Sequence, residues 1–179
     1  MIEEAKTFAA KAHAGQKRKN SNVDYIVHPI RVAETLREAG FREEVICAGY
    51  LHDVVEDTDF ELSDIERHFG EEVKRIVAAH TEDKSLSWDN RKKHTIDTVQ
   101  TASLEVKALI IADKFDNLQS LNEDLEREGN AVWRHFNAGY EKQKWYNESI
   151  VEVMEEGINQ ENVPTFFHTY RKQVKQTFD

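Results

Sequence analysis

Cysteine, proline and glycine are all scarce in this chain: one, two and seven among 179 residues. A single thiol, Cys47, rules out a disulfide framework within the chain and makes a reducing cytosol its natural home. Cys47 falls within an apolar stripe and reads as a core residue. The shortage of Pro and Gly, together with few β-branched runs and many Glu, Lys, Ala and Leu residues, favours an all-α protein over a sheet. Long hydrophobic runs are missing too. The longest clean one is Ala108–Ala112, against the ~20 apolar residues that a membrane-spanning helix needs. The N-terminus, Met-Ile-Glu-Glu, has no leader-peptide character. A soluble, cytoplasmic protein with no membrane partner is expected. Basic charge is also in short supply. The net charge of −10 argues against nucleic-acid partners, whose affinity comes mainly from phosphate neutralisation by a basic surface.

At this length one domain, residues 1–179, is enough to bury a core without disulfides. Apolar periodicity predicts a compact bundle of some eight or nine helices. The first covers residues 2 to about 14, with His13 structural or exposed and Gly15 as the stop signal. The second carries Ile30, Val32, Ala33, Leu36 and Ala39 and ends at Gly40. Pro29 suits its first turn and biases His28 toward extended backbone just ahead of it. Ser63 is a candidate cap for a short helix closed by Gly70, and the next helix carries Val73, Ile76, Val77 and His80. Residues Thr81–Ser87 break the periodicity, and Ser87 is placed to cap a helix from Trp88 to about Gln100. The most apolar helix spans roughly Leu104–Leu121, and Asn122–Asn130 reads as a flexible connection. A long helix beyond it carries Trp133, Phe136, Tyr140, Tyr146, Ile150, Val151 and Met154, and a last one starts at Pro164. Aromatics at this spacing read as core.

The densest chemical signal is LHDVVEDT, Leu51–Thr58. It continues an apolar stripe of Val45, Ile46, Ala48, Leu51 and Val55, so a continuous helix is expected. On such a helix Glu56 lies roughly 40° from His52, and Asp57 roughly 40° from Asp53. Three carboxylates on one face repel one another and resist desolvation unless something positive sits before them. A divalent cation would compensate; a solvated acidic helix end is the bland alternative.

Two further residues fit a cation. Asp113 directly follows Ala108–Ala112, and a carboxylate buried there needs a metal, a cation or several donors. His28 points from a corner fixed by Pro29. His28, His52, Asp53 and Asp113 would form a mixed nitrogen and oxygen site that leaves positions open on a six-coordinate ion such as Mn²⁺ or Fe²⁺. Mg²⁺ and Zn²⁺ accept the same ligands, although a closed zinc site would call for cysteines. Each residue has a plainer reading as well: a helix cap for His28, a satisfied core histidine for His52, and a partner for Lys114 or an arginine in Asp113. Two basic clusters, Lys17-Arg18-Lys19 and Arg91-Lys92-Lys93-His94, are either solvated faces or grips for a small anion.

The order H…HD…D resembles the HD superfamily of metal-dependent phosphohydrolases. The resemblance extends to one branch, through Arg18-Lys19, Tyr25-Ile26-Val27-His28-Pro29, LHDVVEDT, Thr81-Glu82-Asp83-Lys84 and Ala112-Asp113-Lys114-Phe115-Asp116-Asn117-Leu118. In order and spacing these look like the hydrolase domain of the RelA/SpoT alarmone enzymes and their small stand-alone versions, over residues 2 to about 155. The resemblance implies an HD-type helical fold and hydrolysis of guanosine 3′,5′-bis(pyrophosphate), the stringent-response alarmone, at its 3′ position with help from Mn²⁺. It implies His28, His52, Asp53 and Asp113 as metal ligands and Glu56 and Asp57 as the acid pair that works on the attacking water. Substrate contacts would fall to Arg18, Lys19 and Asn117, with Lys84, Arg91 or Lys92 adding positive charge. The length leaves no room for the synthetase and regulatory domains of the long enzymes.

Two departures bear on the substrate. The family's Gly-x-Pro before Tyr-Ile is replaced within Asn20-Ser21-Asn22-Val23-Asp24, and the family's frequent Tyr before Asn117 is Asp116, an added negative charge expected near the phosphates. Two alternatives therefore stand beside the first reading. One is an HD phosphatase for another nucleotide, such as a nucleoside monophosphate or the 2′-phosphate of NADPH. The other is a non-catalytic, metal-stabilised nucleotide-binding module. Association with further copies of the chain is left open.

Overall fold

The computed structural model describes residues 1–136 and 138–179. Among them there are ten α-helices and no strand; the one β-type contact is an isolated bridge between Lys17 and Asp24. The helices are α1 Ile2–Ala12, α2 Val27–Glu38, α3 Glu43–Leu51, α4 Val54–Asp57, α5 Leu62–Phe69, α6 Glu71–His80, α7 Trp88–Thr101, α8 Leu104–Glu128, α9 Tyr140–Val153 and α10 Thr165–Phe178. None of the described helices is long and apolar enough to cross a membrane.

Two helices form the centre. Every residue of α3 from Val45 to Leu51 is buried, and α1, α2, α6 and α8 all pack on it. Helix α8 buries an unbroken run from Val106 to Asp113 and packs against α2, α3, α6, α7 and α10. Helix α2 comes close to α3 because position 49 is glycine: a Cβ there would stand 2.9 Å from Ala33 Cα. On the far side, Lys107 is 1% exposed and its ammonium donates to the carbonyls of Val99, Gln100 and Glu156 at 2.6, 3.1 and 2.8 Å. One cation thus satisfies orphan carbonyls at the C-terminal end of α7 and in the turn after α9, where the helix dipole favours positive charge.

Several boundaries differ from expectation. Helix α2 starts at Val27, so His28 lies inside its first turn, with its N–H donating to Tyr25 O at 3.0 Å. The steric bias of Pro29 yields there because Pro is tolerated within a first turn. Glu61, not Ser63, caps α5, through a capping box with Asp64. Ser87 does cap α7, accepting from the Asn90 N–H. Helix α8 runs on to Glu128 where a flexible connection was expected, and 3-10 turns cover Gly129–His135. Leu121, Leu125 and Val132 pack on the core, which holds this polar stretch in place. Trp133 lies in those turns rather than on α9. Cys47 is fully buried, as a core residue.

Candidate metal centre and anion cleft

The LHDVVEDT segment is not one helix. Helix α3 ends at Leu51, His52 and Asp53 form a turn, and only Val54–Asp57 resume as α4. The His52 ring fixes this break by donating Nδ1–H to the Gly49 carbonyl at 2.7 Å. A straight helix would aim consecutive side chains about 100° apart; the turn instead lets His52 and Asp53 converge, with Nε2 3.0 Å from Oδ2.

Three elements meet at that point and bring four ligand atoms together. His28 Nε2 comes from α2, His52 Nε2 and Asp53 Oδ2 from the α3–α4 turn, and Asp113 Oδ1 from α8. Nε2 of His28 lies 3.2 Å from Nε2 of His52, 3.5 Å from Asp53 and 2.9 Å from Asp113. His52 Nε2 lies 3.4 Å from Asp113 Oδ1. All four residues are buried, and one ligand atom from each falls within 4.8 Å of the others. Cis ligands about 2.1 Å from an octahedral ion stand about 3 Å apart, so the donor set fits a hard or borderline dication. Two imidazole nitrogens facing one another with two carboxylates around them also lack a donor of their own to share.

The imidazoles and carboxylates shift one another's pKa values. Burial lowers the His28 pKa, but hydrogen bonds to Asp113 and Asp116 override it and the net direction is up. Burial of His52 is likewise outweighed, by the charge of Asp53 and its bond to Asp113, leaving the pKa well above the usual imidazole range. Asp53 and Asp113 are held below the ordinary carboxylate range despite their burial, Asp53 chiefly by His52, Asp113 chiefly by Lys114.

A second layer braces the four. Tyr25 OH donates to Asp53 Oδ2 at 2.6 Å. Asp113 presents Oδ1 to the two histidines, while Oδ2 receives His80 Nε2 and Lys114 Nζ, each at 3.0 Å. His28 Nδ1 donates to Asp116 Oδ2 at 2.6 Å. Asp116 is therefore a buried partner of the histidine and not the free charge near the phosphates that the sequence suggested. His80 was read only as part of an apolar stripe; its one signal was a polar ring in that stripe, just before Thr81. With Nε2–H donating, its buried Nδ1 has no hydrogen-bond partner among the described residues.

The acid pair lies one turn on. Glu56 accepts the Glu82 backbone N–H through Oε1 at 2.6 Å, and burial raises its pKa. Asp57 is more exposed; Lys84 Nζ binds its Oδ1 at 3.2 Å and the Glu56 carbonyl at 2.8 Å. The Asp57 carbonyl accepts from Gln16 Nε2 at 3.0 Å, and Gln16 is held by the buried His13, which is structural.

A cleft of about 410 Å³ opens beside this centre, lined among others by Arg18, Lys19, Lys92, Lys114, Asn117 and Tyr146. Arg18 reaches Asn117 Oδ1 at 3.4 Å and Ser120 Oγ at 3.3 Å, and its guanidinium lies 5.7 Å from the Tyr25 ring centre. Lys19 sits over Phe136 at 4.7 Å. Lys92 and Lys114 both face the Tyr146 ring, at 5.1 and 5.5 Å. Tyr146 thus serves the cleft as well as the core. Lys84 and Arg91 are not lining residues: Lys84 is engaged by Asp57, and Arg91 Nε stands 3.8 Å from Glu82. Asn20, Ser21 and Val23 of the divergent loop do line the cleft, with Asn20 at φ 58° and tied to Glu128 at 3.1 Å. The arrangement can hold a dication at the buried quartet and a polyanion in the neighbouring cleft, the two joined by Lys114 and Asn117.

Comparison with known proteins agrees with this architecture. The profile of the HD domain matches residues 5–141. The human guanosine-3′,5′-bis(diphosphate) 3′-pyrophosphohydrolase MESH1 is 43% identical over 122 residues, covering 66% of this chain and 68% of that protein. The Aquifex aeolicus guanosine-3′,5′-bis(diphosphate) 3′-pyrophosphohydrolase is 35% identical over 123 residues, 67% of this chain but 18% of that one. Among solved structures, lmo0812 of Listeria monocytogenes superposes with a TM-score of 0.82 at 54% identity, covering 84% of this chain and 98% of its own. A metazoan ortholog of SpoT, described as hydrolysing ppGpp, gives 0.79 at 28% identity over 98% and 94% of the two chains.

Proposed function

The chain belongs to the HD-domain family, and from that premise we propose that it is a metal-dependent hydrolase of guanosine 3′,5′-bis(diphosphate), cleaving at the 3′ position and releasing pyrophosphate. The observation that carries the reading is the buried His28–His52–Asp53–Asp113 quartet, joined through Lys114 and Asn117 to a neighbouring cationic cleft, in a chain 43% identical to a protein named for that reaction.

His28, His52, Asp53 and Asp113 would hold the metal, with Mn²⁺ the best match to the donors. When bound, it supplies a water of lowered pKa and polarises a phosphoryl oxygen. Glu56, pinned through Oε1 and with its pKa raised by burial, is suited to accept the water's proton near neutral pH. Asp57 works beside it, with Lys84 offsetting its charge. Arg18, Lys19, Lys92 and Lys114 neutralise the polyphosphate, and Asn117 bridges Arg18 to Asp113 by accepting from the first and donating to the second. Positioning and positive charge are the main needs of phosphoryl transfer.

The divergent loop Asn20–Asp24 at the cleft wall favours one second reading, in which the same chemistry acts on another nucleotide phosphate such as the 2′-phosphate of NADPH. Incubation of the purified chain with Mn²⁺ and a panel of phosphorylated nucleotides separates the two. Equimolar GDP and pyrophosphate from the bis(diphosphate), lost in Asp53→Ala, is the expected result. Turnover of a different nucleotide with none of the alarmone would replace the first reading by the second.

A further inference from the structure

We propose that Asp116 is a positioning residue for the metal centre: its carboxylate fixes the tautomer and ring angle of His28 and links that ligand to the arginine that meets the substrate. The proposal rests on the quartet being a metal site, as read above.

An imidazole can offer a metal only the nitrogen that carries no proton, so something must hold the proton on the other one. Here Asp116 Oδ2 takes the hydrogen bond from His28 Nδ1 at 2.6 Å, between side chains 5% and 1% exposed. Burial and a charged acceptor make this bond strong and hard for water to replace. Nε2 is then left facing His52, Asp53 and Asp113, which is where the ion would sit. A carboxylate behind the ring also raises the basicity of the ligating nitrogen. His52 has no such partner; its Nδ1 donates to a neutral carbonyl at Gly49. The two histidines are therefore not equivalent ligands, and His28 is the one whose donor strength is tuned by charge.

The other side of Asp116 faces the cleft residues. Arg18 lies 3.9 Å from Oδ2 and Arg31 3.9 Å from Oδ1, and among the described residues buried Oδ1 has no hydrogen-bond partner. One carboxylate thus stands between a metal ligand and two arginines, of which Arg18 also reaches Asn117 and Ser120. Helix α8 supplies both Asp113 and Asp116, so ligand and brace approach His28 from one rigid element. Loss of the Asp116 charge should weaken metal binding and loosen Arg18 together.

The test is calorimetric titration of Mn²⁺ and Zn²⁺ into metal-free wild type, Asp116→Asn and Asp116→Ala, with the His28 ring protons followed by NMR in the Zn²⁺ form. Removing an outer-shell partner of a ligating histidine typically costs 10–100-fold in affinity. A loss of that order is expected in Asp116→Ala, with Asp116→Asn between it and wild type because an amide oxygen still accepts the bond without the charge. A slowly exchanging Nδ1 proton on His28 should be present in wild type and absent in Asp116→Ala. Saturating Mn²⁺ should restore most of kcat in Asp116→Ala while KM stays raised through Arg18. Equal metal affinity in wild type and a folded Asp116→Ala, or an unchanged Nδ1 proton, would overturn the role of Asp116 alone. A wild-type chain that takes up no divalent ion would overturn it and the proposed function together. Circular dichroism of each metal-free variant separates misfolding from the effect sought, and if Asp116→Ala does not fold, the metal affinity of Asp116→Asn against wild type decides the matter: a measurable loss supports the role of the charge, and an equal affinity overturns it.

Discussion

Gly49 and His52 act as a pair. The Gly49 carbonyl holds the His52 ring through a 2.7 Å hydrogen bond, and the missing side chain of Gly49 lets α2 and α3 touch. The residue that sets the closest helix contact thereby also sets the angle of a proposed metal ligand. Gly49→Ala puts a Cβ 2.9 Å from Ala33 Cα and 3.1 Å from Leu36 Cδ1. Overpacking of this kind costs about 1–3 kcal/mol, so the melting temperature should fall by roughly 2–12 °C. Metal affinity should fall with it, since α3 cannot shift without moving His52. Thermal unfolding and metal titration of the variant check both.

Metal uptake should depend on pH in a direction fixed by the histidines. The metal-free chain holds the pKa values of His28 and His52 above the ordinary imidazole range, burial being outweighed by their carboxylate partners. A group with a raised folded pKa stabilises fully below its unfolded pKa and loses that contribution as pH rises through the folded value. The metal-free protein should therefore weaken from about pH 6.5 upward. Apparent metal affinity should rise over the same range, because binding must release those protons. Denaturant melts and metal titrations at stepped pH test the crossing trends; an affinity independent of pH would contradict them.

Glu56→Gln should separate proton transfer from metal binding. General-base removal typically costs about 100- to 10,000-fold in rate, and a loss of that order in kcat is expected with metal affinity unchanged. The amide still occupies the space beside the Glu82 backbone. Near-full activity would move the proton acceptor elsewhere, with Asp57 next to be tried.

Arg18→Ala should act mainly through KM. Hydrogen bonds to charged groups are worth about 1.5–3 kcal/mol, which corresponds to roughly 10- to 100-fold in kcat/KM. Arg18 touches none of the four ligands directly, its links to them running through Asp116 and Asn117, so metal affinity should change far less than kcat/KM. A fall confined to kcat would show that Arg18 aligns the reacting phosphate rather than gripping the substrate.

Much of this was legible in the residues, for reasons that can be named. The all-helical class followed from composition and apolar period, and the convergence of His28, His52, Asp53 and Asp113 from acids and histidines placed where burial would be costly without a cation. The break at His52–Asp53 was not legible, because the apolar stripe runs straight through it and only the tertiary convergence of α2, α3 and α8 makes a turn preferable. His80 and Asp116 were missed or misassigned for a related reason: each is braced by a residue on another helix, at sequence separations of 33 and 88, and no local pattern carries that. The extension of α8 through Asn122–Glu128 was hidden by polarity, since a helix held by only Leu121 and Leu125 looks like a loop in one dimension.

Helix α8 also works as a ruler. Asp113 faces the proposed metal site, while Asn117 and Ser120, four and seven positions later, anchor Arg18. At 1.5 Å per residue those anchors stand about 6 and 10 Å further along the same rod. A nucleotide phosphate gripped at Arg18 would thus be held from the same rod that carries Asp113, so grip and proposed metal ligand share one rigid frame.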